Sequence, residues 1–383
     1  MALTIHQEPQ AYTPSDNPVT WVFSSDQTLQ PNFYFFIEVM IGNPTFVTVE
    51  NHKVYPEFGN KSHFDASSIA ERYAIVNSGN YYNNQTLSKI KITITEYYNG
   101  VSGASVTSSE STIFKAKMKK SLFVDYDYND YILNASSTNS KFLTTIPRGY
   151  DKAKGEEKKL ITVLTDGSAS NFTFKTYTSG GVLIDSIGTS FIAGDNMLNI
   201  VCGVQELIDD ISLNFTGASY YTITGNIGAG TTEVYRINID DNCDYSRAKR
   251  LHFLNSLGGI DAFTFGLISR EKTEVKSFGF ERQFGYFNDA GVYEFDLERG
   301  TVVDYLKQFG KSLETTSDWL VETVQNWLSS ELYTSPIVWI EDGVKLYRCK
   351  VTNTSYEKKI QENDMLFQEV VSIELESDTS VNV

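Results

Sequence analysis

From Leu160 onward the chain falls into short apolar runs divided by glycine-bearing turns, and this rhythm constrains the fold more than any other feature. Leu160–Leu164 ends at Asp166-Gly167, and Phe172–Tyr177 ends at Ser179-Gly180-Gly181. Val182–Ile187, Met197–Val204, Ser219–Thr224 and Glu233–Ile239 follow. Strands of this length with such turns build antiparallel sandwiches or barrels. No strand–helix alternation appears, which argues against a doubly wound nucleotide fold.

The first part of the chain has the same texture. The odd positions of Phe33–Ile41 are all apolar and nearly all the even ones are too, which predicts a central strand buried on both faces. Phe46–Val54 predicts a second strand, stopped by Tyr55-Pro56. Ile90, Ile92 and Ile94 alternate with polar residues in Lys89–Thr95, the pattern of a strand with one wet face. Asn99-Gly100 and the Ser/Thr residues up to Thr112 read as a loop, and Ile113–Met118 resumes as strand. A short helix is expected over Ala66–Tyr73 with Asp65 as its N-cap. Six of the eight prolines fall between Pro9 and Pro56, so the opening residues read as an extended arm.

After Asp304 the pattern changes. Thr316-Ser317-Asp318 is expected to cap a helix over Trp319–Leu332, with Leu320, Val324, Trp327 and Leu328 on one face. Ile337–Val351 predicts a hairpin turning at Asp342-Gly343. Leu366–Leu375 predicts a last strand, and the polar tail Glu376–Val383 is expected to fray. The charged stretch Pro147–Lys159 reads as a solvated loop or domain boundary, its lysines offset by Asp151, Glu156 and Glu157.

Composition narrows the function classes. Twenty-three Tyr and 24 Phe in 383 residues make an aromatic, β-prone interior, long enough to need no disulfide or metal staple. A formal net charge of −16 argues against a nucleic-acid binder, because a polyphosphate partner wants a basic face. No apolar run approaches the ~18–20 residues that span a bilayer, and the first residues lack signal-peptide character. The chain is therefore expected to be soluble and made in a cytosol.

The motifs that would carry chemistry are weak. Cys202, Cys243 and Cys349 are too far apart for a zinc site or a disulfide framework and read as free thiols. His6, His52, His63 and His252 are scattered, and His252 suits a structural role within the apolar Lys249–Leu254. Gly225–Thr232 spaces its glycines like a phosphate loop, but Thr231 stands where the lysine would and no helix follows; a glycine hairpin is expected. Asp125–Asp130 opens like a calcium loop, with Asp130 in place of the sixth-position glycine and Ser136 in place of the twelfth-position glutamate. Asp240–Asp244 is a similar acidic run. No G-x-S-x-G nucleophile elbow occurs. The Asn-x-Ser/Thr triplets at Asn84, Asn134, Asn171, Asn214 and Asn353 mean little without secretion. No catalytic, cofactor-binding or metal-ligating residue is nominated, and no cofactor is expected. Tyr81-Tyr82-Asn83-Asn84 and Tyr126–Tyr131 place aromatic and amide groups in loops that suit carbohydrate or protein contact, or else anchor loops to the interior.

Three segments resemble structural proteins of tailed phages that infect Bacteroidetes, including the crAss-like group. They are Pro31–Val39 with Val54-Tyr55-Pro56, Phe64-Asp65 and Tyr73 behind it; Leu251–Phe265, the most specific; and Ile337–Glu341 leading to Val371–Leu375. None carries a catalytic residue. The resemblance implies a non-enzymatic virion component of the tail or neck, such as a ring protein of a short tail.

The expected fold is mainly β, with two or more antiparallel sandwich-like or barrel-like domains and a small α+β C-terminal segment. The expected divisions are an N-terminal arm over 1–20, a first β-rich domain over 21–147, a second over 160–310, and a helix-plus-hairpin region over 311–383. The expected function is a structural subunit that closes into a ring around the DNA exit channel and joins adjacent tail layers. Its partners would be copies of itself and other tail or neck proteins, with DNA only passing through and no membrane insertion. The alternative is a peripheral tail module that binds a host receptor or carbohydrate.

Overall fold

The structure is a computed structural model that describes residues 3–74, 84–240, 248–267, 269–295, 301–343, 345–352, 366–375 and 380–382. It is mainly β, with antiparallel pairing dominant and short helices. The chain divides into two compact units, Met1–Asn242 with Phe253–Ala262, and Cys243–His252 with Phe263–Val383. The divisions expected at 147–160 and at 310 fall inside these units, the latter within the strand Val302–Thr316.

The first unit holds two sandwiches. In the N-terminal one, a small sheet (Thr4–Gln7, Thr20–Ser24, Lys61–Asp65) covers a larger one ordered Tyr12–Pro14, Ser111–Phe114, Lys89–Tyr98, Tyr34–Gly42, Phe46–Val54. Trp21 and Phe23 from the first sheet share a core with Phe35, Ile37, Ile92 and Ile94 from the second. The Phe23 and Phe35 rings meet edge to face at 4.8 Å, a favoured aromatic geometry. The second sandwich repeats the plan. Ile161, Val163, Leu198 and Ile200 come from a small sheet, and Phe172, Phe174, Tyr221 and Ile237 from a larger one.

Several expectations need correction. The central strand Tyr34–Gly42 is buried on one face only: Phe35, Ile37 and Val39 are enclosed, while Tyr34, Phe36 and Met40 are half-buried. Its second face is covered by rings rather than by another layer, with Tyr34 stacked on Tyr97 at 5.3 Å. The opening residues pack as strands instead of forming an arm. Thr4–Gln7 pairs with Thr20–Ser24, and Tyr12–Pro14 pairs with Ser111–Phe114 at the sheet edge, where a proline removes no needed donor. The supposed Ser/Thr loop contains the strand Val101–Thr107, paired with Lys89–Tyr98. Asn99 and Gly100 lie between the two at φ 51° and 78°, which matches the strand twist of a tight hairpin. A helix over Val204–Ile211 also goes unforeseen.

The helix near Ala66 forms over Ser67–Tyr73. Its N-cap is Ala66 rather than the expected Asp65, which stands one residue earlier. Asp65 Oδ1 accepts from the Ser67 amide at 3.0 Å and the Val19 amide at 2.9 Å, so the carboxylate ties the helix start to the N-terminal segment.

In the second unit the sheet order runs Lys249–Leu254, Val338–Asp342, Lys345–Val351, Val370–Leu375, Val302–Thr316, Arg270–Glu281. The helix begins at Glu322, three residues later than expected, because Leu320–Val321 pairs as strand with Leu366–Phe367. Ser317 is fully buried and exchanges backbone and side-chain hydrogen bonds with the Glu369 backbone. Val324, Trp327 and Leu328 form the buried face as expected. In the hairpin, Asp342 pairs with Lys345, which moves Gly343 (φ 57°) to the first central position of the turn. Ser380–Asn382, in the tail expected to fray, pairs with Leu306–Gln308.

Candidate functional surface

Each unit contains buried charge, and its geometry decides whether it is chemistry or scaffold. In the first unit Lys159 Nζ lies 2.5 Å from Asp151 Oδ1, and the Tyr235 hydroxyl donates to Asp151 Oδ2 at 2.8 Å. Lys159 is 2% and Asp151 4% exposed, so the stretch expected to be solvated contributes its charges to the interior. Burial, and then the neighbouring Asp151 charge, hold the Tyr235 hydroxyl well above its ordinary pKa. Asp261, also fully buried, accepts from Thr144 Oγ1 at 2.7 Å and from the Thr145 amide and hydroxyl at 3.0 and 2.7 Å. Burial raises its pKa despite these donors. In the second unit His252 sits 3.0 Å from Glu341 Oε2, with Arg250 Nη1 donating to Thr264 Oγ1 at 2.7 Å. These groups are enclosed, and Lys159, Asp261 and His252 each contact a polar side chain of a neighbouring segment, which fixes strand positions.

A cleft of about 370 Å³ lies in the first unit, lined by residues including Asn84, Gln85, Thr86 and Asp195. Asp195 accepts from Thr86 Oγ1 at 2.9 Å, and among the described residues that line the cleft none carries a basic side chain. Among the described residues no group of three or more His, Cys, Asp or Glu side chains could hold a metal ion.

The sequence motifs resolve as follows. In the calcium-like run, Asp127 Oδ1 accepts from the Asn129 amide to start a 3₁₀ turn, and Asp130 pairs with Lys141. Gly225–Thr232 is a hairpin, with Asn226 opposite Thr231 and Ile227 opposite Gly230. Tyr126–Tyr131 packs inward: Tyr128 is buried against Phe114 and Tyr126, and desolvation raises the pKa of all three tyrosines of this run. Tyr81, Tyr82, Asp241, Cys243 and Asp244 lie outside the described residues. Cys202 is buried, and burial pushes the Cys349 thiol up to about 12. No described helix is long and apolar enough to cross a membrane.

The Leu251–Phe265 segment forms a hairpin whose tip is built around Asn255. Its Oδ1 accepts from the Leu257 and Gly259 amides at 3.0 Å each, and its Nδ2 donates to the Leu143 carbonyl. Gly258 takes φ 91°, and a Cβ at Gly259 would stand 1.8 Å from the Leu143 carbonyl oxygen. Both glycines are therefore required, one by conformation and one by close approach.

A long ribbon in the second unit, marked by none of the motifs above, exposes a run of apolar side chains. Arg270–Glu281 pairs along its whole length with Val302–Thr316 and is exposed at every position. Phe278, Phe280 and Tyr305 lie open to solvent along it. At its end, Gly285–Phe287 and Tyr293–Phe295 form a small hairpin closed by Asn288, whose Oδ1 accepts from the Ala290 and Val292 amides. Phe284 stacks on Phe295 at 5.3 Å, and Phe287 meets Tyr293 edge to face at 5.0 Å. Phe287 is nevertheless 70% and Phe295 68% exposed. The small hairpin is a two-stranded sheet, marginal on its own in water, and exposed aromatic clusters of this kind mark contact surfaces. The detectable signal in the sequence is the alternation of charge in Arg270–Lys276, followed by Phe278 and Phe280 at the same spacing.

No family model and no curated protein matches the chain. Solved structures that align with it include the chicken interferon gamma receptor alpha chain, at 9% identity over 62% of this chain and 96% of that one, with a TM-score of 0.21. The calcium binding domain CBD12 of CALX1.1 aligns at 7% identity over 63% of this chain and 100% of that one, TM-score 0.22. The FN1–FN3 domains of chicken CNTN1 align at 9% identity over 63% and 69%, TM-score 0.19. Superpositions this loose carry no argument about function.

Proposed function

We propose that this chain is a non-enzymatic structural subunit of a phage tail or neck, which closes into a ring around the DNA exit channel and joins adjacent tail layers. The observation that carries the reading is the exposed aromatic ribbon of the second unit. A single copy leaves Phe278, Phe280, Phe284, Phe287, Tyr293 and Phe295 in water, and a neighbouring subunit would remove that apolar area from solvent. The buried charges support the same view, since each is used to hold strands together. Head-to-tail contact between two different surfaces closes a ring when the rotation per subunit divides a full turn. A net charge of −16 suits a channel past which DNA slides without adhering.

Imaging native particles with this subunit labelled tests the assignment. Label at the tail or neck supports it, and absence of the chain from virions overturns it. The alternative of glycan binding gains nothing from Tyr126–Tyr131, whose rings pack inward.

A further inference from the structure

The strand Arg270–Glu281 is the last in its sheet among the described residues, so its outer backbone edge has no partner there. Such edges invite pairing with another chain, and natural proteins commonly blunt them with charge. Here the charges do something more selective. The irregularity in the ribbon places its extra residue, Tyr305, on the other strand: Phe278 faces Leu306 and Gly279 faces Asp304. The edge strand therefore keeps unbroken alternation, with Arg270, Lys272, Glu274, Lys276, Phe278 and Phe280 on one face.

We propose that this edge pairs antiparallel with the same strand of a second copy, about a two-fold axis through Val275. An axis perpendicular to the sheet sets residues of like parity opposite each other. Centring it on Val275 places Glu274 against the second copy's Lys276, and Lys276 against the second copy's Glu274. Lys272 and Arg270 then face the rings of Phe278 and Phe280, a cation–aromatic arrangement, and Thr273 faces Ser277. Nearly the whole strand is used, from Arg270 to Phe280.

The neighbouring two-fold registers are poorer. Centring on Glu274 sets that carboxylate against itself and Lys272 against Lys276. Centring on Lys276 sets that ammonium against itself and Glu271 against Glu281. Centring on Ser277 brings no opposite charges together. Centring on Thr273 also sets Lys272 against Glu274, but it sets Arg270 against Lys276. The Val275 register is thus the one that gains its opposite-charge pairs with no like-charge pair. Within the ribbon Glu274 stands opposite Gly310 and Lys276 opposite Gln308, so neither finds its opposite charge across the existing ladder.

This contact is two-fold and takes up Phe278 and Phe280, leaving Phe284, Phe287, Tyr293 and Phe295 for the head-to-tail contact that would close a ring, and it stands whether or not the tail assignment does. The test is sedimentation velocity of the full chain and its charge variants at low salt. Glu274→Lys and Lys276→Glu should each weaken self-association roughly tenfold, because each creates two like-charged pairs across the axis. The double variant Glu274→Lys/Lys276→Glu should restore it, since the pairs are merely exchanged. Val275→Cys should form a disulfide-linked dimer on mild oxidation, and Thr273→Cys much less. Association unaffected by the single variants, a double variant no better than either single, or no cross-link at position 275 would each overturn the proposal.

Discussion

Lys159 and Asp151 form an ion pair with both side chains withdrawn from water, inside a stretch whose composition is that of a surface loop. The Tyr235 hydroxyl occupies the second carboxylate oxygen, so the charge is paired and hydrogen-bonded at once. Burying a charge is tolerable on those terms alone.

Removing one partner should then be costly. Lys159→Met leaves a buried carboxylate that keeps the Tyr235 hydroxyl but loses its counter-charge, and the expected loss is about 3–5 kcal/mol in urea denaturation. An effect no larger than that of an exposed pair such as Lys141–Asp130 would show that water reaches the site.

Two tyrosines set an alkaline limit. Tyr128 and Tyr235 have folded pKa values raised well above 10.0 by burial, whereas in the unfolded chain they ionise near that value. Their contribution is intact below pH 10 and is lost as pH rises from there through the folded values. Absorbance titration should show these two rings ionising only with unfolding, and early ionisation of either in the native protein would contradict the burial.

Gly259 and Gly291 should respond differently to alanine. A Cβ at Gly259 meets the Leu143 carbonyl, so Gly259→Ala should cost more than about 3 kcal/mol, as backbone must move. At Gly291 the space is open and only φ 76° is strained, so Gly291→Ala should cost about 1 kcal/mol. Thermal denaturation of the two variants separates the cases.

Cys349 should be unreactive at pH 8. Its thiol is pushed up to about 12 by burial, which leaves almost no thiolate to attack an alkylating reagent. Peptide mapping after iodoacetamide treatment of the native protein should find Cys349 unlabelled, and rapid labelling would contradict this.

What the sequence revealed followed from period-two burial. Ile90, Ile92 and Ile94 are legible because one face of their strand is core, and Phe46–Val54 because Tyr55-Pro56 ends it. Val101–Thr107 was illegible: it is polar, and its strand form comes from the ladder to Lys89–Tyr98. The Val204–Ile211 helix has Gly203 at its start with no side-chain cap, so it reads as a continuation of the strand Met197–Val201. Burial of Asp151 and Lys159 depends on Tyr235, which is remote in sequence. The ribbon is illegible for the opposite reason. Its Phe and Tyr residues alternate as core residues do, and only the fold shows that they face water.

Assembly is the claim on which the functional reading depends, and native mass spectrometry of the purified chain across a concentration series tests it most directly. The account predicts a closed oligomer of one fixed copy number, lost in Phe287→Ser/Phe295→Ser while thermal stability stays within about 0.5 kcal/mol of the parent. A chain that remains monomeric at every concentration would contradict it.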